Sequence, residues 1–218
     1  MSAGSKSVLL ELQYLPCLEY FVCLNEYDKI IIEAQEYYVK QTYRNRCYIL
    51  AANKIDVLSI PVKSGNRKIL IKDVQIDYNQ KWLNNHWRGI ISAYGKSPYF
   101  EHFVHEFEKV FFRKRKFLFD LNWDLLTICL KILRMNTEIC FSDTYNTDTS
   151  SDVLDLRSVI HPKSRDKRLF YEPFVYNQIF GKDFAENLSV IDLIFCEGPN
   201  ALTILENSKS FRSEQKQF

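Results

Sequence analysis

The chain has 218 residues, of which 46% are hydrophobic and 26% are charged, and 29 lysines and arginines against 27 acidic residues give a formal net charge of +2. This composition excludes a disordered chain, and the length is sufficient for one domain with a large core. Because the net charge is close to zero, we expect no electrostatic binding to nucleic acid or to an anionic membrane.

No segment of the sequence has the apolar length of a signal-peptide core or a membrane span. The apolar run Val8–Leu10 is interrupted by Glu11 and Gln13, and no window of eighteen residues is free of charge. We therefore expect a cytoplasmic protein whose six cysteines are reduced thiols. None of the cysteines lies in a C-x-x-C pair, so no metal site is predicted.

The first three predicted elements form a compact βαβ unit. A strand is predicted at Ser7–Gln13, a helix at Cys17–Asn25 and a second strand at Lys29–Ala34. The β-branched run Ile30–Ile32 is typical of a strand, and Leu15-Pro16 ends the first one. This order of elements indicates an α/β fold.

Two further strands, Tyr43–Leu50 and Ile55–Val62, are predicted to form a hairpin. Asn53 tolerates the positive φ that a hairpin turn needs. Pro61 indicates that the second strand ends there or lies at an edge. The alternation of apolar residues over Lys68–Ile76 predicts another strand, with one bulge.

The middle of the chain is predicted to be helical. One helix covers Trp82–Tyr94, and Ser97 is predicted to cap a second helix with an apolar stripe over Phe100–Phe111. A third helix is predicted at Trp123–Leu133, with Asn122 as its cap.

The C-terminal third mixes short elements with polar loops. The predicted elements are a strand within Asn136–Asp143, a loop at Tyr145–Asp152, a loop or lid at Leu156–Lys167, a helix capped by Ser189 that ends at Phe195, and a helix from Pro199 to Glu206. We therefore predict one α/β domain over residues 1–207, with a mixed central sheet and helices packed on it. A flexible tail is predicted for residues 208–218.

The turn between the first strand and the first helix is a candidate ligand site. In α/β folds, ligands bind at the carboxyl ends of strands and the amino ends of helices. Gln13, Tyr14, Pro16 and Tyr20 lie at this junction and are predicted to line a pocket. The alternative is a tight turn with a packed Tyr-Phe pair.

Cys17 is a candidate nucleophile, because a helix N-terminus lowers the pKa of a thiol. A nucleophilic cysteine needs a base, and His86 and His161 are the isolated candidates. The alternative interpretation of Cys17 is a structural thiol.

Arg44 and Arg46 are a candidate anion clamp, with Asn45 between them. Residues two apart on a strand point to the same face, and two guanidinium groups on one face can bind a phosphate or carboxylate. Surface ion pairs are the alternative interpretation.

His86 is the candidate general base on the predicted helix Trp82–Tyr94. It lies between Trp82 and Trp87, so a packed histidine with a structural hydrogen bond is the alternative interpretation.

The chain resembles the WbqC-like protein family in short segments that occur in a consistent order over nearly its whole length. The segments are Gln13–Pro16 with Glu19–Phe21, Gln41–Arg46, Leu58–Val62, Trp82 with His86, Tyr94–Phe100, Tyr176–Phe180, Asn187–Phe195 and Glu197–Pro199. The C-terminal block is similar to the form found in Bacteroidetes-type members.

The resemblance implies a role in the biosynthesis of bacterial surface polysaccharide, notably O-antigen. It indicates the biological process and does not specify the reaction. It implies a transferase-like enzyme that transfers an acyl or aminoacyl group to a nucleotide-activated amino sugar, or a non-catalytic binding or scaffolding protein of the same machinery. The implied partner is a nucleotide sugar or another small anionic ligand, and the cofactor is left unknown. Family members often have an aromatic residue or proline at the position of Cys17, which argues against a nucleophile common to the family.

Overall fold

Alternating strands and helices dominate the N-terminal half of the chain, and helices dominate the rest. The structure, a computed structural model, describes residues 6–63, 65, 67–146, 153–164 and 168–210. In chain order its strands and helices are β1 (Ser7–Glu11), α1 (Leu18–Leu24), β2 (Lys29–Glu33), β3 (Arg46–Leu50), β4 (Ile55–Ser59), α2 (Trp82–Tyr94), α3 (Phe100–Phe112), α4 (Leu118–Leu133), β5 (Glu138–Phe141), β6 (Val153–Asp155), α5 (Val190–Glu197) and α6 (Ala201–Asn207).

The central sheet has four parallel strands in the order β5-β2-β1-β6. Parallel neighbours need a crossover, and α1 supplies it between β1 and β2. One face of these two strands carries Val8, Leu10, Ile30 and Ile32, all buried in a single core shared with the helices. The predicted α/β class and the opening βαβ unit are therefore confirmed, and the central sheet itself is wholly parallel.

The predicted hairpin is also present, as a separate antiparallel pair of β3 and β4. Its register runs from Arg46 opposite Ser59 to Leu50 opposite Ile55. The turn closes through a hydrogen bond from the Ala51 N–H to the Lys54 carbonyl at 2.9 Å.

The strand predicted at Lys68–Ile76 is wrong. The segment contains one turn of 3₁₀ helix at Ile71–Asp73, and its backbone pairs with several different segments rather than with one strand. The Ile71 N–H donates to the Glu36 carbonyl and the Ile76 N–H to the Lys116 carbonyl. The alternating apolar side chains are buried because the segment winds through the core, so period-two alternation arose without a strand.

The helix α4 begins five residues earlier than predicted, at Leu118. Asn122 therefore lies inside the helix, where its side chain donates to the Arg44 carbonyl at 2.8 Å instead of capping. Ser97 does not cap α3 either. Its hydroxyl donates to the Tyr94 carbonyl at 2.6 Å and so closes the end of α2.

Near the C-terminus the strand β5 and the last two helices are present as predicted, whereas the three-residue strand β6 was not predicted. The Ser189 side chain does not cap α5 as predicted, since its hydroxyl donates to the Leu15 carbonyl at 2.9 Å. Ser208 and Ser210 are buried, so the chain stays packed beyond the predicted domain end at residue 207. Parts of the predicted loops and tail, namely residues 147–152, 165–167 and 211–218, lie outside the described residues. In the described ranges, no helix has both the length and the apolarity needed to cross a membrane.

Gly198, between α5 and α6, is expected to tolerate no side chain. Its φ is +52°, and a Cβ there would lie 2.5 Å from two ring atoms of Tyr99. We predict that Gly198→Ala lowers the free energy of unfolding by about 2 kcal/mol or more, through backbone strain and this clash. Urea unfolding monitored by circular dichroism measures the change.

Gly89 in α2 is the matched control, since a Cβ there would make an ordinary 3.5 Å contact with Leu58. Gly89→Ala is expected to be neutral or to stabilise by up to about 1 kcal/mol, because alanine favours a helix interior. Equal stability of the two variants would contradict the argument for Gly198.

Candidate functional site

Charged side chains converge at the carboxyl ends of the parallel strands. Glu11 ends β1, Glu33 ends β2 and Asp155 ends β6. We define the carboxyl-edge cluster as Glu11, Glu33, Glu36, Arg44, Asp155 and Arg157. Parallel strands end at one edge of a sheet, and open α/β sheets bind ligands there.

Arg44 is the buried centre of this cluster, with 1% of its side chain exposed. Its Nε donates to Glu36 Oε1 at 2.7 Å and its Nη2 to Glu36 Oε2 at 2.6 Å, a two-point ion pair. The same Nη2 lies 3.9 Å from Glu11 Oε2 and 3.2 Å from the Ser158 hydroxyl. Burial raises the pKa of the Glu36 carboxyl, and the hydrogen bonds from Arg44 oppose that shift.

This geometry corrects the predicted clamp. Arg44 precedes β3 rather than lying on it, and Arg46 is the first residue of that strand. Because Arg44 is already bound to Glu36 inside the protein, it positions the cluster and does not face a ligand. Arg44 and Arg46 therefore do not act as two forks on one surface.

Arg157 holds the other half of the cluster. It donates from Nη1 to Glu33 Oε2 at 2.8 Å and from Nη2 to Asp155 Oδ2 at 2.5 Å. Burial alone would raise the pKa of Asp155, but its hydrogen bonds and charge pairing with Arg157 lower it below its usual range. Glu33 Oε1 in turn accepts from the Ser142 hydroxyl at 2.5 Å, which links the ends of β2 and β5.

Arg46 is the other arginine of the predicted clamp, and unlike Arg44 it is not a member of the carboxyl-edge cluster. It is half-buried, and within the described part of the chain its Nε is buried without a hydrogen-bond partner. His161 is partly exposed, and its pKa is lowered first by burial and then by Lys163, with smaller effects from Glu11, Arg44 and Arg46. Arg46 and His161 thus lie at the rim of the carboxyl-edge cluster.

His86 is held through both ring nitrogens. Nδ1 lies 2.9 Å from the Tyr14 hydroxyl and Nε2 lies 3.2 Å from the Ser59 carbonyl oxygen. A carbonyl only accepts, so we assign the proton to Nε2, and Nδ1 accepts from Tyr14. Burial lowers the pKa of His86 to about 4, against the hydrogen bond with Ser59. A neutral histidine with both nitrogens bonded matches the packing interpretation and not a general base.

The strand-to-helix turn is packed rather than open. Gln13 donates to Glu11 Oε1 at 2.9 Å, and the Tyr20 hydroxyl donates to the Glu11 carbonyl at 3.0 Å. Burial raises the pKa of both Tyr14 and Tyr20 well above the ordinary tyrosine value. The Pro16 carbonyl accepts from the Val190 N–H at 2.9 Å. Gln13, Tyr14, Pro16 and Tyr20 are therefore packed inside the turn, which matches the alternative interpretation of a tight turn.

Cys17 is 2% exposed and lies immediately before α1, where its side chain makes no capping hydrogen bond. Its backbone forms a bridge with Ser189, which places it in the core between the first and fifth helices. This position matches a structural thiol rather than a nucleophile that a substrate could reach.

A pocket of about 550 Å³ lies between the hairpin and the first turns of α2. We call it the hairpin–helix pocket, and its lining residues are Asn45, Val57, Leu58, Ser59, Ile60, Pro61, Gln80, Lys81, Trp82, Asn85 and His86. It brings together two predicted site residues, Asn45 and His86. In the described ranges, no group of three or more His, Cys, Asp or Glu side chains is arranged to hold a metal ion.

Sequence reasoning missed the acidic half of the site. Glu11 and Glu33 each end an apolar strand, and that pattern could have identified them. Asp155 and Arg157 carried no such signal, because β6 is only three residues long and was not predicted. Trp82 was noted only as a neighbour of His86, although it lines the pocket.

A model of the WbqC-like protein family matches residues 13–165, which include every predicted site residue. The uncharacterized protein Rv1507c of Mycobacterium tuberculosis (strain ATCC 25618 / H37Rv) is 24% identical over 222 residues. That similarity covers 90% of this chain and 95% of the mycobacterial protein. No solved structure matches the chain.

Removal of Arg44 is expected to destabilise the fold strongly, because it leaves the buried Glu36 carboxylate unpaired. We predict that Arg44→Ala lowers the free energy of unfolding by about 3–5 kcal/mol. The double variant Arg44→Met with Glu36→Met should recover part of that loss, since both charges are then absent. Urea unfolding of the three proteins measures this, and a small effect of Arg44→Ala alone would contradict the buried-pair argument.

The low pKa of His86 predicts a loss of stability in acid. The unfolded histidine, with its ordinary pKa of 6.5, binds a proton before the folded one, whose pKa is about 4. The stabilising contribution is therefore complete above pH 6.5 and is lost as the pH falls toward 4. The full loss is about 3 kcal/mol for a shift of this size.

Urea unfolding between pH 7.5 and pH 4.5 should show a shallower pH dependence for His86→Gln than for the unmodified chain. His161→Gln is the control, since this partly exposed histidine should change the slope little. Identical slopes for the unmodified chain and His86→Gln would show that His86 is not held neutral.

Proposed function

The chain belongs to the WbqC-like protein family, and we propose that it is a transferase-like enzyme of bacterial surface polysaccharide biosynthesis, in the O-antigen or lipopolysaccharide pathway. Its substrate in this proposal is a nucleotide-activated amino sugar, bound at the carboxyl edge of the parallel sheet. The association of the family with surface polysaccharide supports the process. Because nucleotide-activated sugars are made in the cytoplasm, the proposal also places the chain there.

The observation that carries the proposal is Arg46 at the rim of the carboxyl-edge cluster. Its Nε is a buried donor without a partner in the described part of the chain. A buried donor of this kind favours an acceptor, and a guanidinium group binds phosphate oxygens well. Arg46 would therefore bind the phosphate of the ligand, while Arg44 fixes the strand ends from inside.

The charge of the cluster suits the amino group of such a ligand. Four carboxylates against two guanidinium groups leave a formal charge of −2 at the edge. Glu11, Glu33 and Glu36 are at most 8% exposed. A ligand's ammonium group would therefore meet this negative charge at Asp155, which is 32% exposed, beside an anionic group at Arg46. In acyl or aminoacyl transfer from a thioester donor, the amine nitrogen forms the new bond to the acyl carbon, the bond from that carbon to the carrier sulfur breaks, and the proton that the amine loses passes to the departing thiolate.

A second candidate function is a non-catalytic binding or scaffolding protein of the same machinery. It is favoured by the state of His86, whose nitrogens are both engaged and whose pKa is about 4. It needs the same ligand contacts at Arg46 but no proton acceptor. Turnover of an acyl donor together with a nucleotide-activated amino sugar separates the two functions.

Ligand binding at Arg46 can be measured by a thermal-shift screen with nucleotide sugars and coenzyme A thioesters. A ligand at a hundred times its Kd adds about 2.7 kcal/mol, which raises the Tm of a domain of this size by several degrees. We predict that Arg46→Ala loses most of this shift because the phosphate loses its donor, while the variant keeps its own Tm within a few degrees.

The exposed arginine Arg88 provides the control, since it lies on the surface of α2 and not at the start of β3, and Arg88→Ala removes the same charge. A full shift retained by Arg46→Ala would refute the anion site. A folded chain that responds to none of the ligands would remove the case for a ligand at Arg46, and with it the enzyme, and would favour a scaffolding role that binds no small ligand.

A further inference from the structure

Two residues that line the hairpin–helix pocket each carry a buried polar atom without a partner in the described part of the chain, and the two atoms are of opposite kinds. Trp82 is 4% exposed, and its Nε1–H, a donor, has no hydrogen-bond partner in the described part of the chain. Asn45 Oδ1, an acceptor, is also buried and without a partner there, while its Nδ2 donates to the Ile60 carbonyl at 2.9 Å. Buried polar atoms are rarely left unpaired, so each of these points to a bound group.

The donor at Trp82 is held rigidly in place. Its ring contacts Tyr78 at a centroid distance of 5.6 Å and His86 at 5.0 Å. His86 is in turn fixed by Tyr14 and Ser59. The Nε1–H therefore cannot easily turn toward another protein acceptor, and a ligand would meet a preorganised donor.

Hydroxyl groups suit either atom, because a hydroxyl accepts from an N–H and donates to a carbonyl oxygen. Among the described residues, the other polar side chains of the lining are Ser59, Gln80, Asn85 and the neutral His86, and Lys81 alone carries a formal charge. An uncharged group rich in hydroxyls fits this lining better than an ion does. We propose that the hairpin–helix pocket is a subsite for a neutral sugar ring, whose hydroxyls bind Trp82 Nε1 and Asn45 Oδ1.

The subsite adjoins the proposed anion site through the hairpin. Arg46 is directly opposite Ser59 in the register of β3 and β4, and Ser59 lines the pocket. Opposed residues of an antiparallel pair point to the same face. A nucleotide-activated sugar with its ring in the pocket would thus bring its phosphates toward Arg46, and this extension rests on the proposed function.

The indole N–H of Trp82 provides a direct measurement in the full chain. The three tryptophans give three indole signals in a ¹H–¹⁵N correlation spectrum, and Trp82→Phe assigns the one from Trp82. The probes are UDP, UDP-N-acetylglucosamine and methyl N-acetylglucosaminide. We expect the Trp82 signal to move with the two sugar-bearing probes and to stay in place with UDP.

Affinities measured by calorimetry complete the test. Trp82→Phe keeps an aromatic side chain but removes the pyrrole part of the indole together with its N–H donor. We expect it to weaken UDP-N-acetylglucosamine binding about tenfold, the size of one lost hydrogen bond, while UDP binding is unchanged. Trp123→Phe is the matched control, since Trp123 packs against Phe141 away from the pocket, and it should bind both probes as the unmodified chain does.

The outcomes distinguish this subsite from the proposed function. If UDP binds and Arg46→Ala weakens it, but the Trp82 signal does not respond to saturating UDP-N-acetylglucosamine, the sugar subsite is refuted and the anion site stands. If the methyl glycoside moves the Trp82 signal and UDP does not bind, the subsite stands and the proposed substrate fails. Equal affinity of Trp82→Phe and the unmodified chain for UDP-N-acetylglucosamine would also overturn the subsite. It would show that the sugar does not accept a hydrogen bond from Trp82 Nε1.

Discussion

The buried ion pair between Arg44 and Glu36 is the interaction on which the placement of the site depends. A guanidinium with 1% exposure is tolerated only where carboxylates and other acceptors surround it. Arg44 meets this need with groups from the loop after β2, the end of β1 and the turn after β6, and its carbonyl accepts from Asn122 of α4. One residue, through its side chain and its carbonyl, thus ties the parallel sheet, the segment before the hairpin and a core helix to each other.

Because Arg44 is paired internally, three consecutive residues have three different roles. Arg44 points into the interior, Asn45 lines the hairpin–helix pocket, and Arg46 begins β3 at the rim of the carboxyl-edge cluster. His86 stiffens the same region from the helix side, where Tyr14 and the Ser59 carbonyl hold its ring. The arrangement explains why residues predicted as one clamp and one base take separate structural and binding roles.

The predictions failed where a local pattern had more than one three-dimensional solution. Alternation over Lys68–Ile76 gave apolar residues at the right spacing for a strand, but the segment buries them as it winds past Glu36 and Lys116. The spacing of Arg44 and Arg46 gave a shared face only if both lay on a strand, and Arg44 does not. Ser97 had the chemistry of a cap, yet it bonds backward to Tyr94.

From the sequence by itself it followed that the chain opens with a βαβ unit, continues with a hairpin and then forms amphipathic helices. These features depend on residues that are close together in the chain, such as the β-branched run Ile30–Ile32. The spacing of apolar residues therefore predicts them. Only the tertiary structure decided that β6 joins the sheet, that Arg44 is paired internally and that His86 is neutral. Each of these depends on groups that come together from distant parts of the chain. Burial and charge pairing between such groups do not change the pattern of neighbouring residues, so the sequence pattern does not predict them.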